Sequence, residues 1–251
     1  MEITIALAAT YYKVNLAEPI GISITLQHGT ANPNCFNAAN PVFEPVVAYN
    51  FVGDTRQGGA VNFYNTTTNP HGNGTHTECV GHIAKERIYI NDCLQQYHYI
   101  AQLITVTPIL HNGDTVITAK HLANKILPNT NTLIIRTLPN TINKTIQNYS
   151  NTNPTYFTKD AIQCLVDAGI VHLLTDLPSV DKEQDGGKLL AHHEYWQYPN
   201  NTRLHATITE MVYVDNAIVD GIYFLNMQIL NIKLDASSSN IVLYKLQEIN
   251  Q

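Results

Sequence analysis

Strand-forming runs dominate this chain, and helix-forming ones are scarce. Residues 101–109, 132–138, 170–174, 206–214, 221–232 and 240–249 are rich in Val, Ile, Leu, Thr and Tyr, side chains that suit a pleated, half-buried surface. The alternation Glu2-Ile3-Thr4-Ile5 adds a strand near the start. Two segments carry helix signals. Thr158 stands where an N-cap would precede a helix over 159–168, with Asp160 against the positive end of its dipole and Gly169 as the stop. A second helix is expected over 187–198, ending before Pro199. Few helices among many strands predict an α+β domain rather than a doubly wound sheet. No glycine-rich phosphate loop of either nucleotide-binding type occurs.

The 251 residues suffice for a substantial core, and no linker, repeat or low-complexity block divides them, so one domain over 1–251 is expected. The Asn-rich stretch 140–153 reads as an exposed loop. A net charge of -6 without any Lys/Arg cluster argues against a nucleic-acid partner. No apolar run approaches the ~18 residues of a membrane span. Residues 1–16 lack a basic n-region and a small-residue cleavage site, so a cytoplasmic location is expected. Triplets such as Asn143-Lys144-Thr145 then carry no glycosylation meaning. Cys35, Cys79, Cys93 and Cys164 show no Cys-x-x-Cys spacing, which disfavours a disulfide framework or zinc ribbon.

The chemistry concentrates in one place: His71-Gly72-Asn73-Gly74-Thr75-His76-Thr77-Glu78-Cys79-Val80-Gly81-His82. On an extended strand His76 and Glu78 project from one face, and a short turn after Glu78 brings His82 back toward them. Imidazole nitrogens and carboxylate oxygens are the donors that divalent zinc, manganese or iron accept. Gly72 and Gly74 allow backbone conformations closed to other residues. A polar surface turn would carry the same residue types, so the stretch needs support from elsewhere. Cys79 inside it reads as a small buried hydrophobe rather than a nucleophile.

Two further spots offer that support. In Leu190-Ala191-His192-His193-Glu194 the adjacent histidines of a helix point about 100° apart, so one of them can face a given site. In Ala206-Thr207-Ile208-Thr209-Glu210-Met211-Val212 a carboxylate interrupts an apolar strand. Buried, Glu210 needs a partner such as a metal; on a half-exposed strand it would simply face solvent.

Gly74-Thr75-His76-Thr77-Glu78 followed by His82 resembles the signature His-x-Gly-Thr-His-x-Asp-x-x-x-His of the cyclase or bacterial kynurenine formamidase-like family. Asn15-Leu16-Ala17-Glu18-Pro19-Ile20, Leu133-Ile134-Ile135-Arg136-Thr137, Asp176-Leu177-Pro178-Ser179-Val180-Asp181, Ala191-His192 and Thr209-Glu210 resemble its other segments, in the same order. The resemblance implies a swivelling β/β/α fold, a homodimer or homotetramer, and one or two divalent metals, zinc or manganese, serving hydrolysis of a small-molecule amide, formamide, cyclic amide or ester, as in arylformamidases. It implies that His76 binds metal, that Glu78 stands where the family has a bridging Asp, that His192 and Glu210 complete a second metal site, and that His82 transfers protons. His193 is the alternative to His192.

Four positions depart from the family pattern. Gly72 stands where the first ligand belongs, and His71, five residues before His76, is the nearest imidazole to replace it. Glu78 is one methylene longer than Asp, and Cys79-Val80 replaces a stiffer Ala-Pro. A single metal, and a non-catalytic member of the fold that binds a metal or small ligand without turnover, therefore stand as alternatives. Phe63, Tyr64 and Trp196 are candidates for an aromatic substrate wall, with core or interface packing as their competing role.

Overall fold

Neighbouring parallel strands need long crossover connections, and helices are the usual means of making them. The computed structural model, which describes residues 1–7 and 10–249, uses the two expected helices in this way. Seven strands close on themselves: β1 (His76–Glu78), β2 (His98–Val106), β3 (Thr132–Thr137), β4 (His172–Thr175), β5 (Thr207–Glu210), β6 (Gly221–Ile229) and β7 (Ala236–Lys245). Their order is β6-β2-β3-β4-β5-β1-β7, and β7 pairs back onto β6. Strands β2 to β5 run parallel to one another. The remaining pairings around the ring are antiparallel. Besides the single turn α1 (Ile90–Cys93), α2 (Lys159–Asp167) carries the chain from β3 to β4 and α3 (Leu190–Trp196) carries it from β4 to β5.

Side-chain alternation along the strands builds two cores. Ile104 and Val106 of β2, Leu133 and Ile135 of β3, Leu173 of β4 and Ile208 of β5 pack against Ala161, Ile162 and Leu165 of α2 and Ala191, Tyr195 and Trp196 of α3. The intervening residues Leu103, Ile134 and Leu174 turn to the ring's inner face, where they meet Tyr223, Leu225, Met227, Ile241 and Leu243.

The expected α+β class is what the chain adopts, with local corrections. Thr158 does occupy the N-cap position of α2, but its hydroxyl donates to the Ile117 carbonyl at 3.1 Å instead of capping the helix. Helix α3 is shorter than 187–198. The Asp185 carboxylate accepts the N–H groups of Gly187, Lys188 and Leu189 and holds them as a loop, while Gln197 at φ 52 ends the helix ahead of Pro199. The 206–214 run stops being a strand at Met211, whose φ is 53. The 240–249 run divides between β7, which begins earlier at Ala236, and a separate strand Gln247–Ile249 that pairs with Thr10–Asn15. No described helix is long and apolar enough to cross a membrane.

Candidate metal centre

The three residues of β1 decide which side chains meet. Thr77 turns into the ring, where its hydroxyl lies 2.8 Å from Thr209 Oγ1 and donates to Ser239 Oγ at 3.0 Å. His76 and Glu78 therefore face the helix layer. A slip of one residue would carry both to the wrong side. Glu210, the register partner of His76 on β5, faces the same way, with its Oε2 3.4 Å from His76 Nε2. Glu210 is buried rather than solvent-facing, and its Oε1 accepts the Val180 N–H at 2.8 Å.

The loop before β1 delivers His71 to the same place. Asn69 and Asn73 bond each other and the intervening backbone. The Cys35 N–H donates to Gly72 O at 3.1 Å, and the Cys35 thiol donates to His71 O at 3.2 Å. Position 72 has no room for a ligand's side chain, because a Cβ there would lie 2.2 Å from Ala38 Cβ. His71 instead reaches in, with Nδ1 3.1 Å from Glu78 Oε2 and Nε2 2.8 Å from Asp235 Oδ2. After β1, the turn Val80–His82 returns His82, whose Nδ1 lies 3.8 Å from Glu78 Oε2 and 3.5 Å from Asp235 Oδ2. From α3, His192 sets Nε2 3.1 Å from Glu78 Oε1 and Nδ1 2.6 Å from Asp181 Oδ2. His193 points elsewhere, bonding Tyr198 O through Nδ1.

Two atoms in this cluster stand out energetically. His76 Nε2 and Glu78 Oε2 are buried without a well-formed hydrogen bond, their nearest polar neighbours being Glu210 Oε2 at 3.4 Å and His71 Nδ1 at 3.1 Å; a buried polar atom left unsatisfied costs about 1–3 kcal/mol. His71, His76 and Glu78 each offer a ligand atom within 4.8 Å of the others, and so do Glu78, His82 and His192. A cation among them would satisfy both of those buried atoms, and the nitrogen and carboxylate donors suit a divalent metal. Glu78 Oε2 faces His71 and His82 while Oε1 faces His192.

The side chains of the cluster shift one another's proton affinities. Burial works against a charged His71, but the Asp235 and Glu78 carboxylates outweigh it and push its pKa up to about 10. Burial likewise opposes charge on His192, and Asp181, Glu78 and Glu210 raise it to about 10. Glu78 is also penalised by burial, yet His82, His192 and His71 hold it well below the usual carboxylate range.

The cluster opens into a cavity of about 790 Å³ lined by His71, Glu78, His82, His192 and Glu210, with Phe36 and Leu189 among its walls. The aromatic side chains singled out from sequence lie elsewhere. Trp196 is core, donating Nε1–H to Ala206 O at 2.9 Å. Tyr64 lines a separate cleft with His28, Asp54 and Arg56, and Phe63 is exposed beside Phe51. Sequence reading missed three contributors. Asp181 sat in a quoted motif without a role, and Phe36 and Asp235 belong to no pattern that spacing alone would mark.

Comparison with solved structures places the fold. A structure described as a "predicted metal-dependent hydrolase" from Bacillus stearothermophilus superposes with a TM-score of 0.62 at 16% identity, covering 90% of this chain and 98% of that one. One described as a potential metal-dependent hydrolase with cyclase activity gives 0.65 at 16% identity over 90% and 97%. Isatin hydrolase A from Labrenzia aggregata, bound to benzyl benzoate, gives 0.63 at 14% identity over 90% and 93%. Among curated protein sequences there is no match. The profile of the family described as "Putative cyclase" matches residues 6–182, a span that contains the whole 71–82 cluster and Asp181, and the chain belongs to that cyclase family.

Proposed function

We propose that this chain is a metal-dependent hydrolase that opens a small amide, formamide, cyclic amide or ester. The observation that carries this reading is the pair of buried atoms left without a well-formed hydrogen bond, His76 Nε2 and Glu78 Oε2, in a cluster whose Glu78, His71, His82, His192 and Glu210 line a cavity. His71, His76 and Glu78 would hold one divalent ion, zinc or manganese, and Glu78, His192 and Glu210 a second. The bound metal supplies Lewis acidity, lowering the pKa of water and polarising a carbonyl. The rest falls to the chain's own side chains. Asp181 fixes the His192 ring through Nδ1. His82 is 29% exposed toward the cavity and can hand a proton to a leaving nitrogen or oxygen. Phe36, 45% exposed at the cavity wall, offers an apolar face to a planar substrate.

The isatin hydrolases among the structural neighbours act on a cyclic amide by their names, which favours including lactams in a substrate search beside N-formyl aromatic amines. The cavity's volume falls in the range of small-molecule sites. The non-catalytic alternative drew on the histidine missing at position 72, and His71 standing among the donors weakens that motive. A homodimer or homotetramer remains part of the proposal, for which the exposed Val47, Tyr49, Phe51, Val61 and Phe63 offer an apolar surface, and so does a cytoplasmic location.

The test is elemental analysis of untagged protein followed by turnover assays on isatin, N-formyl anilides and aryl esters. One or two metal equivalents per chain, lost in His76→Ala/Glu78→Ala, with turnover abolished in a metal-loaded His82→Ala, is the expected result. A chain that stays metal-free after reconstitution with zinc and manganese would sink the proposal.

A further inference from the structure

Three of the four histidines in the cluster, His71, His76 and His192, set a ring nitrogen against an oxygen acceptor outside it. For His76 that acceptor is Gly74 O, 3.1 Å from Nδ1; for His192 it is Asp181, 2.6 Å from Nδ1. His71, the histidine displaced by one position from the family signature, has Asp235, 2.8 Å from Nε2. Carboxylates placed in this way orient ligand imidazoles and fix their tautomer. We infer that Asp235 is the positioning residue that turns His71 into a ligand through Nδ1, and that it compensates for the shift of this histidine away from position 72. The inference rests on the metal-site reading above.

Two further features tie Asp235 to the ligand segment. Its backbone carbonyl accepts the Cys79 N–H at 3.0 Å, so Asp235 is anchored to the residue that follows Glu78. Gly81 leaves the space it occupies: a Cβ at position 81 would lie 3.0 Å from Asp235 Cβ and 2.1 Å from Ile88 O. Asp235 is held from both sides by the same stretch of chain that supplies His76, Glu78 and His82. Its Oδ2 also lies 3.5 Å from His82 Nδ1, and the His71 and His82 rings stack with centroids 4.2 Å apart, so one carboxylate sets the relation between the ligand ring and its neighbour.

The test uses the full chain with zinc and cobalt as probes. Zinc affinity is read by competition with a chromophoric chelator, and ligation by the visible spectrum of the cobalt form. Asp235→Ala is expected to weaken zinc by about 10- to 100-fold and to give the cobalt spectrum of His71→Ala. Asp235→Asn keeps an acceptor for Nε2–H and should retain the wild-type band positions. Nitrogen chemical shifts of the wild-type zinc form should show His71 bound through Nδ1 with Nε2 protonated, a readout independent of any variant's folding. Zinc affinity of Asp235→Ala within threefold of wild type, or ligation of His71 through Nε2, overturns the inference alone. Wild-type protein that takes up no zinc overturns it together with the functional reading.

Discussion

Gly72→Ala adds one methyl group next to a histidine of the cluster, and the surrounding geometry fixes what that methyl meets. Its Cβ would sit 2.2 Å from Ala38 Cβ, whereas ordinary contact begins at 3.4 Å, so 1.2 Å (3.4 minus 2.2) must be found by moving something. The other two neighbours, Cys35 O at 3.4 Å and Asn69 Cγ at 3.6 Å, already lie at ordinary separation. Ala38 cannot retreat easily. Its carbonyl accepts Asn34 Nδ2 at 2.9 Å, and Asn34 is itself tied through backbone bonds to Gln147 and Tyr149. Overpacking of this kind costs about 1–3 kcal/mol, and 2 kcal/mol corresponds to a fall of about 4–8 °C in Tm for a chain of this size. Ala38→Gly removes the atom that clashes. Thermal and urea unfolding of the metal-free protein should show Gly72→Ala destabilised and Gly72→Ala/Ala38→Gly recovered beyond the sum of the single effects. Zinc affinity should fall and recover in parallel, since the displaced residue follows His71 directly. A Gly72→Ala protein as stable as wild type, or a double variant with no recovery, would refute the packing argument.

Two other outcomes can be checked. His71 and His192, both raised to about 10, carry protons at pH 7, and metal binding needs them neutral. Titration calorimetry at pH 7 in buffers of differing ionisation enthalpy should therefore show about one proton released per metal bound, with apparent affinity rising about tenfold per pH unit for each proton displaced; no proton release would contradict the raised His71 and His192 pKa values. Lys144 Nζ lies 2.8 Å from Asp176 Oδ2, and Asp176 is fully buried, so Lys144→Met should cost about 3–5 kcal/mol in urea unfolding at pH 7 by leaving a buried charge unpaired. Burial also raises the Asp176 pKa, despite Lys144. Without the lysine the carboxyl protonates more readily still, so the loss should shrink as the pH is lowered, and a loss that grows would contradict the pairing.

Much of the architecture was readable because it depends on local pattern. The β-branched runs gave β2 to β7 to within a few residues, and Gly169 and Pro199 marked real helix limits. Errors arose where a side chain captured backbone, as Asp185 does before α3, or where the chain left a strand at a positive φ, as at Met211. The family resemblance led to His71, His76, Glu78, His82, His192 and Glu210, and the fold gathers all six. It did not show why position 72 carries no side chain, since that depends on Ala38 packing from a loop more than thirty residues earlier. Nor did it mark Asp235, separated from His71 by 164 residues and brought to it only when β7 pairs with β1.

Strand β1 is three residues long, and two of the three are His76 and Glu78. The segment that joins β5 to β7 is thus also the one that carries two of the proposed ligands, so capture of an ion and completion of the ring would become a single thermodynamic event. An ion at about 1,000 times its Kd would add about 4 kcal/mol to the folded state, a large share of the stability of an ordinary domain. Metal supply would then govern how long the molecule survives as well as how fast it works. A starved chain would open first at the seam between β5 and β7, where hydrogen exchange at Thr77 and Glu78 would report it.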